Sequence, residues 1–209
     1  MCGILFFYGL DKYIDSQLKY SKESLDLRGP DNNKELSISD DKKMIFSRLS
    51  INDISSKGDQ PFIKNNKYYL ICNGEIYNHK DLINANEEFN MQMVSKSDCE
   101  IIIHMYQKYG IYHTCKSLDG VFSFVLYDKI LNKVFIARDP YGVRPLFIGR
   151  TKQQEILACS EMKPISQLCE TIDSFQPGHY GIIDETKQIK CTQYHDYDFK
   201  FNNDSEKTI

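Results

Sequence analysis

From Gly120 onward the helical period gives way to short segments read on the two-residue period of strands, and this change constrains the 209-residue chain more than any other feature. In an extended backbone successive side chains point to opposite faces, so alternation separates core positions from covered or solvated ones. Val121–Tyr127 (VFSFVLY), Lys133–Ala137, Leu146–Gly149, Glu155–Cys159, Tyr180–Asp184 and Lys190–Tyr194 all read as strands of an antiparallel meander. The first half adds the terminal apolar run Cys2–Tyr8 and the strand candidates Glu35–Ser39, Lys43–Ser47 and Lys67–Cys72. Short strands in this number predict two packed antiparallel sheets with helices over their outer faces, an α+β architecture.

Fewer segments carry the helical period. Ile14, Leu18 and Leu25 are spaced for one helix face, and the RGPD segment at 28–31 ends it because Pro30 does not continue a helix. The clearest helix is expected over Asp98–Tyr109. Ser97 and Glu100 stand in the S-x-x-E capping pattern, Ile101, Ile102, Met105 and Tyr109 form one face, and Gly110 is placed to stop it. A shorter helix is expected over Tyr112–Ser117. The last residues, Lys200–Ile209, are polar and read as frayed.

Composition narrows the class of function. A hydrophobic fraction of 41% suits one large globular domain or two small ones. The net charge is −3 and no basic run suggests a nucleic-acid groove. No apolar run approaches the ~18 residues of a membrane span, and the start, MCGILFFYG, lacks the basic region of a secretory signal. The seven cysteines are odd in number and contain no C-x-x-C pair, which argues against a disulfide framework and a zinc ribbon. Apart from Cys2 they read as small buried hydrophobes of a reducing, cytoplasmic compartment. Neither a metal nor a cofactor is implied.

Cys2 has two readings. It begins an apolar strand and suits a core. It also becomes the terminal residue if Met1 is removed, which its small side chain permits. An α-amine of pKa about 7.7–8.0 would then share a residue with a thiol of pKa about 8.5, ready to take the thiol proton directly or through one water. The five histidines show no triad spacing with it.

An amide-cleaving thiol also needs donors for an oxyanion and grips for the rest of the substrate. Asn73-Gly74 follows an apolar strand, and reads either as a type I′ hairpin turn or as a side-chain amide and a backbone N–H able to hold an oxyanion. Arg48, set between apolar runs, offers a guanidinium fork for a carboxylate. Glu75 and Asp98 offer carboxylates for an ammonium group, although Asp98 also suits the first turn of its helix.

Taken together the motifs resemble a known family. MCGI at the start, RGPD at 28–31, SRLSI at 47–51, QPF at 60–62, NGEIYNHK at 73–80 and SDCEII at 97–102 occur in order. LDGVFSFVLYD at 118–128, ARDPYGVRPLFIG at 137–149, SEMK at 160–163 and PGHY at 177–180 follow. The chain resembles the class II, N-terminal nucleophile glutamine amidotransferase domain, and most of all the glutaminase half of asparagine synthetase. The resemblance covers nearly all of the chain up to about Tyr194. It implies a four-layer αββα fold over residues 2–195, followed by a polar tail at 196–209. It implies Cys2 as the nucleophile with its own amine as base, and Asn73 with the Gly74 amide as the oxyanion hole. It places Arg48, the backbone around Ile51, Glu75 and Asp98 around the amino acid end of L-glutamine. It further implies that RGPD and RDPYGVRPLF shape the pocket floor and an exit for ammonia.

Two departures accompany the resemblance. Leu27 stands where the family usually has His before RGPD, and no Ser/Gly-rich pyrophosphate loop occurs before Ile209. The expectation is a stand-alone glutaminase domain without a synthetase domain, passing ammonia to a synthetase-type chain in trans, with a homodimer as an open option. The alternatives are the same chemistry for another acceptor, or a glutamine-binding regulatory module that turns over slowly.

Overall fold

Side-chain alternation sorts this chain into layers. The computed structural model describes residues 1–9, 12–51 and 53–197, and for residues 12–17 the backbone alone. In chain order the elements are β1 (Gly3–Tyr8), α1 (Lys12–Asp26), β2 (Asn32–Ser39), β3 (Lys42–Arg48), β4 (Phe62–Lys64) and β5 (Tyr68–Ile76). Then come α2 (His79–Asn84), α3 (Glu87–Gln92), α4 (Ile101–Ser117), β6 (Gly120–Asp128) and β7 (Lys133–Arg138). The remainder is β8 (Phe147–Arg150), β9 (Ile156–Cys159), β10 (Thr171–Ser174), β11 (His179–Ile183) and β12 (Ile189–Gln193).

The strands form two six-stranded sheets in the orders β10-β8-β9-β1-β3-β2 and β12-β11-β7-β6-β5-β4. Every pairing is antiparallel. Ile4, Phe6, Met44 and Phe46 of the first sheet meet Ile71, Val125 and Ile136 of the second in a central core. The next residues along the same strands point the other way. Leu5, Phe7 and Ile45 lie with Leu18 and Leu25 of α1, while Leu70, Phe122 and Phe124 lie with Ile101, Ile102 and Met105 of α4. The result is the four-layer αββα sandwich, each sheet buried on both faces. Double burial explains why VFSFVLY is apolar almost throughout.

The structure amends several sequence expectations. The later strands do not form one meander. β6, β7, β11 and β12 belong to the second sheet, whereas β8 and β9 join the first. The crossing occurs in the segment after β7, where Pro140, Gly142 at φ +65° and Pro145 prevent regular pairing and carry the chain between sheets. β4, β10, α2 and α3 were not expected; each is short, and most are largely polar. The capping box does not form. Ser97 makes no side-chain cap bond, and the Glu100 carboxylate instead accepts Val94 N–H at 2.8 Å and Ser95 N–H at 2.7 Å. Gly110 breaks the helical path with φ 74° and ψ 173°, dividing α4 where the stop was expected. Cys191 is exposed rather than buried. The side chain of Ile14 and the Lys200–Ile209 tail lie outside the described residues. Among the described residues no helix is long and apolar enough to cross a membrane.

Candidate active site

The candidate nucleophile sits where the first sheet ends. Gly3 pairs with Ser47 across β1 and β3, so Cys2 is brought beside the residues that leave β3. Its Sγ accepts the Leu49 N–H at 3.4 Å and approaches the Leu49 carbonyl at 3.6 Å. Burial pushes the Cys2 thiol pKa up, partly offset by the Leu49 N–H and by the positive charges of the chain terminus and Arg48. Arg28 of RGPD fixes the backbone, donating from Nε to the Cys2 carbonyl at 3.0 Å and from Nη1 to Glu161 at 2.6 Å. Leu27, the departure from the family pattern, is 77% exposed.

Asn73 and Gly74 do not form the hairpin turn their dipeptide suggests. Both lie inside β5, opposite Ser123 and Phe122 of β6. The Phe122 N–H and carbonyl are bonded to Asp139, on the far side of β6 from β5. In an antiparallel ladder the residue opposite then also turns its peptide groups outward. Gly74 thus points its N–H to the free edge of β5. Neighbouring donors on that edge are anchored: Cys72 N–H meets Gln60 Oε1 at 2.6 Å, and Ile76 N–H meets Asp98 Oδ2 at 2.6 Å. The glycine itself is needed for sheet packing, because a Cβ there would stand 2.4 Å from the Val121 carbonyl. Asn73 projects to the other face, continuing the row of Tyr69 and Ile71. It is 2% exposed, and its Nδ2 is buried without a hydrogen-bond partner among the described residues.

Charged groups occupy the adjoining walls. Arg48, buried at the end of β3, donates from Nη1 to the Ser55 carbonyl at 2.8 Å and pairs with Asp59. Asp98 is buried and Glu75 half-buried. Ile51 reaches the rim with 62% of its surface exposed. One open cleft is lined by all seven sequence-derived candidates: Cys2, Arg48, Ile51, Asn73, Gly74, Glu75 and Asp98. Met1 also lines it and is half exposed. No histidine lines this cleft; buried His104 instead stands 2.8 Å from Lys64 Nζ and 3.5 Å from Glu100. Among the described residues no cluster of three or more His, Cys, Asp or Glu is arranged to hold a metal ion.

Residue-by-residue reading missed further members of this wall: Asp53, Gln60, Cys72, Cys99 and Arg144. Gln60 and Arg144 fall within the QPF and GVRP motifs, but no chemical role was legible there. Asp53 lies in a short polar loop that carries no period. Arg144 is held by the RDPYGVR segment, in which Asp139 accepts the backbone N–H groups of Tyr141, Val143 and Arg144 at 2.9–3.1 Å. Arg138 donates to the carbonyls of Gly142 and Arg144 at 2.8 Å. This bracing leaves Tyr141 74% and Val143 55% exposed, whereas Leu146 is fully buried.

Comparison with known proteins places the chain in a family. The model of the glutamine amidotransferase domain family matches residues 1–176. The chain is 36% identical over 216 residues to a probable glutamine-hydrolysing asparagine synthetase of Acanthamoeba polyphaga mimivirus, covering 94% of this chain and 39% of that protein. It is 37% identical over 210 residues to the human glutamine-hydrolysing asparagine synthetase, covering 93% and 36%. The chain therefore spans little more than a third of the length of these relatives. Among solved structures, the glutamine phosphoribosylpyrophosphate amidotransferase of B. subtilis superposes with a TM-score of 0.75 at 19% identity, covering 93% of this chain and 49% of that one. With a family model and relatives of this identity spanning nearly its whole length, the chain belongs to the glutamine amidotransferase domain family.

Proposed function

We propose that this domain hydrolyses the side-chain amide of L-glutamine, using Cys2 as an N-terminal nucleophile after Met1 is removed. The observation that carries the reading is the buried, unpartnered Asn73 Nδ2 in the same cleft as the Cys2 thiol. A buried donor without a partner is costly, and is expected where a ligand atom completes it. In this reading the Cys2 α-amine takes the thiol proton and Sγ attacks the amide carbon. Asn73 Nδ2 and the Gly74 N–H hold the oxyanion. The intermediate collapses by breaking the C–N bond, the base returns the proton to the leaving ammonia, and a thioester remains. Water then cleaves the thioester to glutamate and frees the thiol. Arg48 grips the α-carboxylate, Glu75 and Asp98 attract the α-ammonium group, and the backbone around Ile51 lines the mouth. Removal of Met1 would both create the base and clear a residue from the cleft.

Ammonia in water at neutral pH is mostly protonated and does not act as a nucleophile, so an enclosed delivery path is required. The exposed Tyr141 and Val143 beside Arg144 offer an apolar face for an ammonia-consuming synthetase module. The similarity to asparagine synthetases supports a module of that class, supplied as a separate chain or otherwise. The test is release of glutamate and ammonia from L-glutamine, with mass spectrometry of the intact N-terminus. Protein verified to begin at Cys2 that releases neither product would overturn the proposal.

A further inference from the structure

We propose that Asp53 is a positioning residue that fixes the spacing between Arg48 and Asp98, charged grips on separate segments of the cleft, and so sets affinity for the amino acid end of the substrate. This rests on the reading of the cleft given above. The grips come from separate segments. Arg48 is held by the loop that follows β3, through the Ser55 carbonyl and Asp59. Asp98 is carried by the turn before α4, whose backbone is tied to Glu100 at Val94 and Ser95. Nothing in covalent structure sets the distance between them.

Asp53 joins the two. Its Oδ1 accepts the Ser55 N–H at 2.9 Å and the Ser55 hydroxyl at 2.7 Å, and its Oδ2 accepts the Lys96 N–H at 2.8 Å. One carboxylate thus binds the residue whose carbonyl holds Arg48 and the turn that presents Asp98. Packing reinforces the joint: a Cβ on Gly58 would fall 2.6 Å from Arg48 Nη2 and 2.9 Å from Asp53 Cβ. The loop is further tied by Ser50 N–H to Asp31 at 2.7 Å and Asn32 to Asp59 at 2.8 Å. Asp53 is buried and holds its middle.

All three bonds to Asp53 are accepted by oxygen. Asparagine at this position has nearly the same shape but turns one acceptor into a donor, which then faces an N–H or O–H. The bridge between loop and turn is lost with little change in volume. The grips act alike on substrate and transition state, so loosening them raises KM more than it lowers kcat.

The experiment compares wild type, Asp53→Asn and Ser55→Ala in steady-state glutamine hydrolysis, with the rate of Cys2 alkylation by iodoacetamide as a reading that involves no bound glutamine. The expected result for Asp53→Asn is a KM raised about tenfold, as loss of one charge-assisted hydrogen bond would give, with kcat within about threefold and alkylation unchanged. Ser55→Ala removes one of the three bonds and shifts KM the same way by about two- to threefold. If Asp53→Asn fails to fold, Ser55→Ala decides alone, and its unchanged KM overturns the inference. An unchanged KM in folded Asp53→Asn, or a fall confined to kcat, overturns it equally. Wild-type protein without glutamine turnover would instead sink the functional reading on which the inference rests.

Discussion

Replacing Asn73 with alanine separates the cost of the site from its benefit. Asn73 Nδ2 is buried and unpartnered among the described residues, a state that costs the folded protein about 1–3 kcal/mol. Truncation removes that penalty and gives up packing of comparable size at a cleft wall, so Tm should stay level or rise. Activity should move the other way. Loss of one oxyanion donor costs about 2.7–4 kcal/mol of transition-state stabilisation, a fall of roughly 10²–10³ in kcat. KM should change little, because the donor engages charge that develops only during reaction. Thermal melts and steady-state glutamine hydrolysis on the same preparations give both numbers. A variant that keeps kcat within about threefold, or loses activity only because it unfolds, would refute the reasoning.

Three further outcomes follow from the same cleft. Cys2→Ala should fold with an unchanged melt and release no ammonia from glutamine; residual turnover at the wild-type rate would remove Cys2 from the chemistry. Arg48→Ala should raise KM for L-glutamine while leaving kcat largely intact, since a carboxylate grip serves ground and transition states alike; a selective loss of kcat would mean the substrate lies in the opposite orientation. Asp53 gives a pH dependence: the Ser55 hydroxyl, then the Lys96 and Ser55 N–H groups and the Arg48 charge, hold its carboxyl down to about 2 despite its burial. A depressed carboxyl stabilises the fold above its unfolded value, about 3.9, and that stability is lost as pH falls toward 2. The Tm lead of wild type over Asp53→Asn should therefore shrink between pH 5 and pH 2, and a lead constant across that range would contradict the assignment.

What the sequence revealed and what it hid have physical causes. The layers were legible because β1, β6 and the first half of β5 are buried on both sides and so carry apolar residues at nearly every position, and β3 does so at Met44–Phe46. Period alone could not divide the later strands between sheets. That division depends on where Pro140, Gly142 and Pro145 redirect the chain, which is a matter of three-dimensional path. Asn73-Gly74 misled as a turn signal because local propensity favours a hairpin, whereas the actual constraint on Gly74 is the Val121 carbonyl 2.4 Å from where its Cβ would stand. Ser97 and Glu100 misled for a related reason: Glu100 satisfies donors at Val94 and Ser95, outside the helix it was expected to cap. Asp53 and Gln60 stayed hidden because their decisive partners, the Lys96 N–H and the Cys72 peptide, are distant in sequence, and such pairing leaves no mark on local sequence.

Scaffold and site differ in how the donors of β5 are satisfied. Along the free edge of β5 the Cys72 peptide is closed by the Gln60 side chain, and the Ile76 N–H by Asp98. Both closures use side chains rather than a strand, which leaves room beside Gly74. On the other face of the same strand Asn73 carries its unpartnered donor toward the end of the sandwich where Cys2 emerges from β1. The strand itself fixes the Gly74 N–H, and burial confines the Asn73 side chain. A donor fixed in advance does not have to reorganise as charge develops, and that is the condition under which an oxyanion contact lowers a barrier instead of merely tightening binding. Gln60 and Asp98 would therefore act on the chemistry without touching the reacting carbonyl, by keeping the edge of β5 straight and open between them.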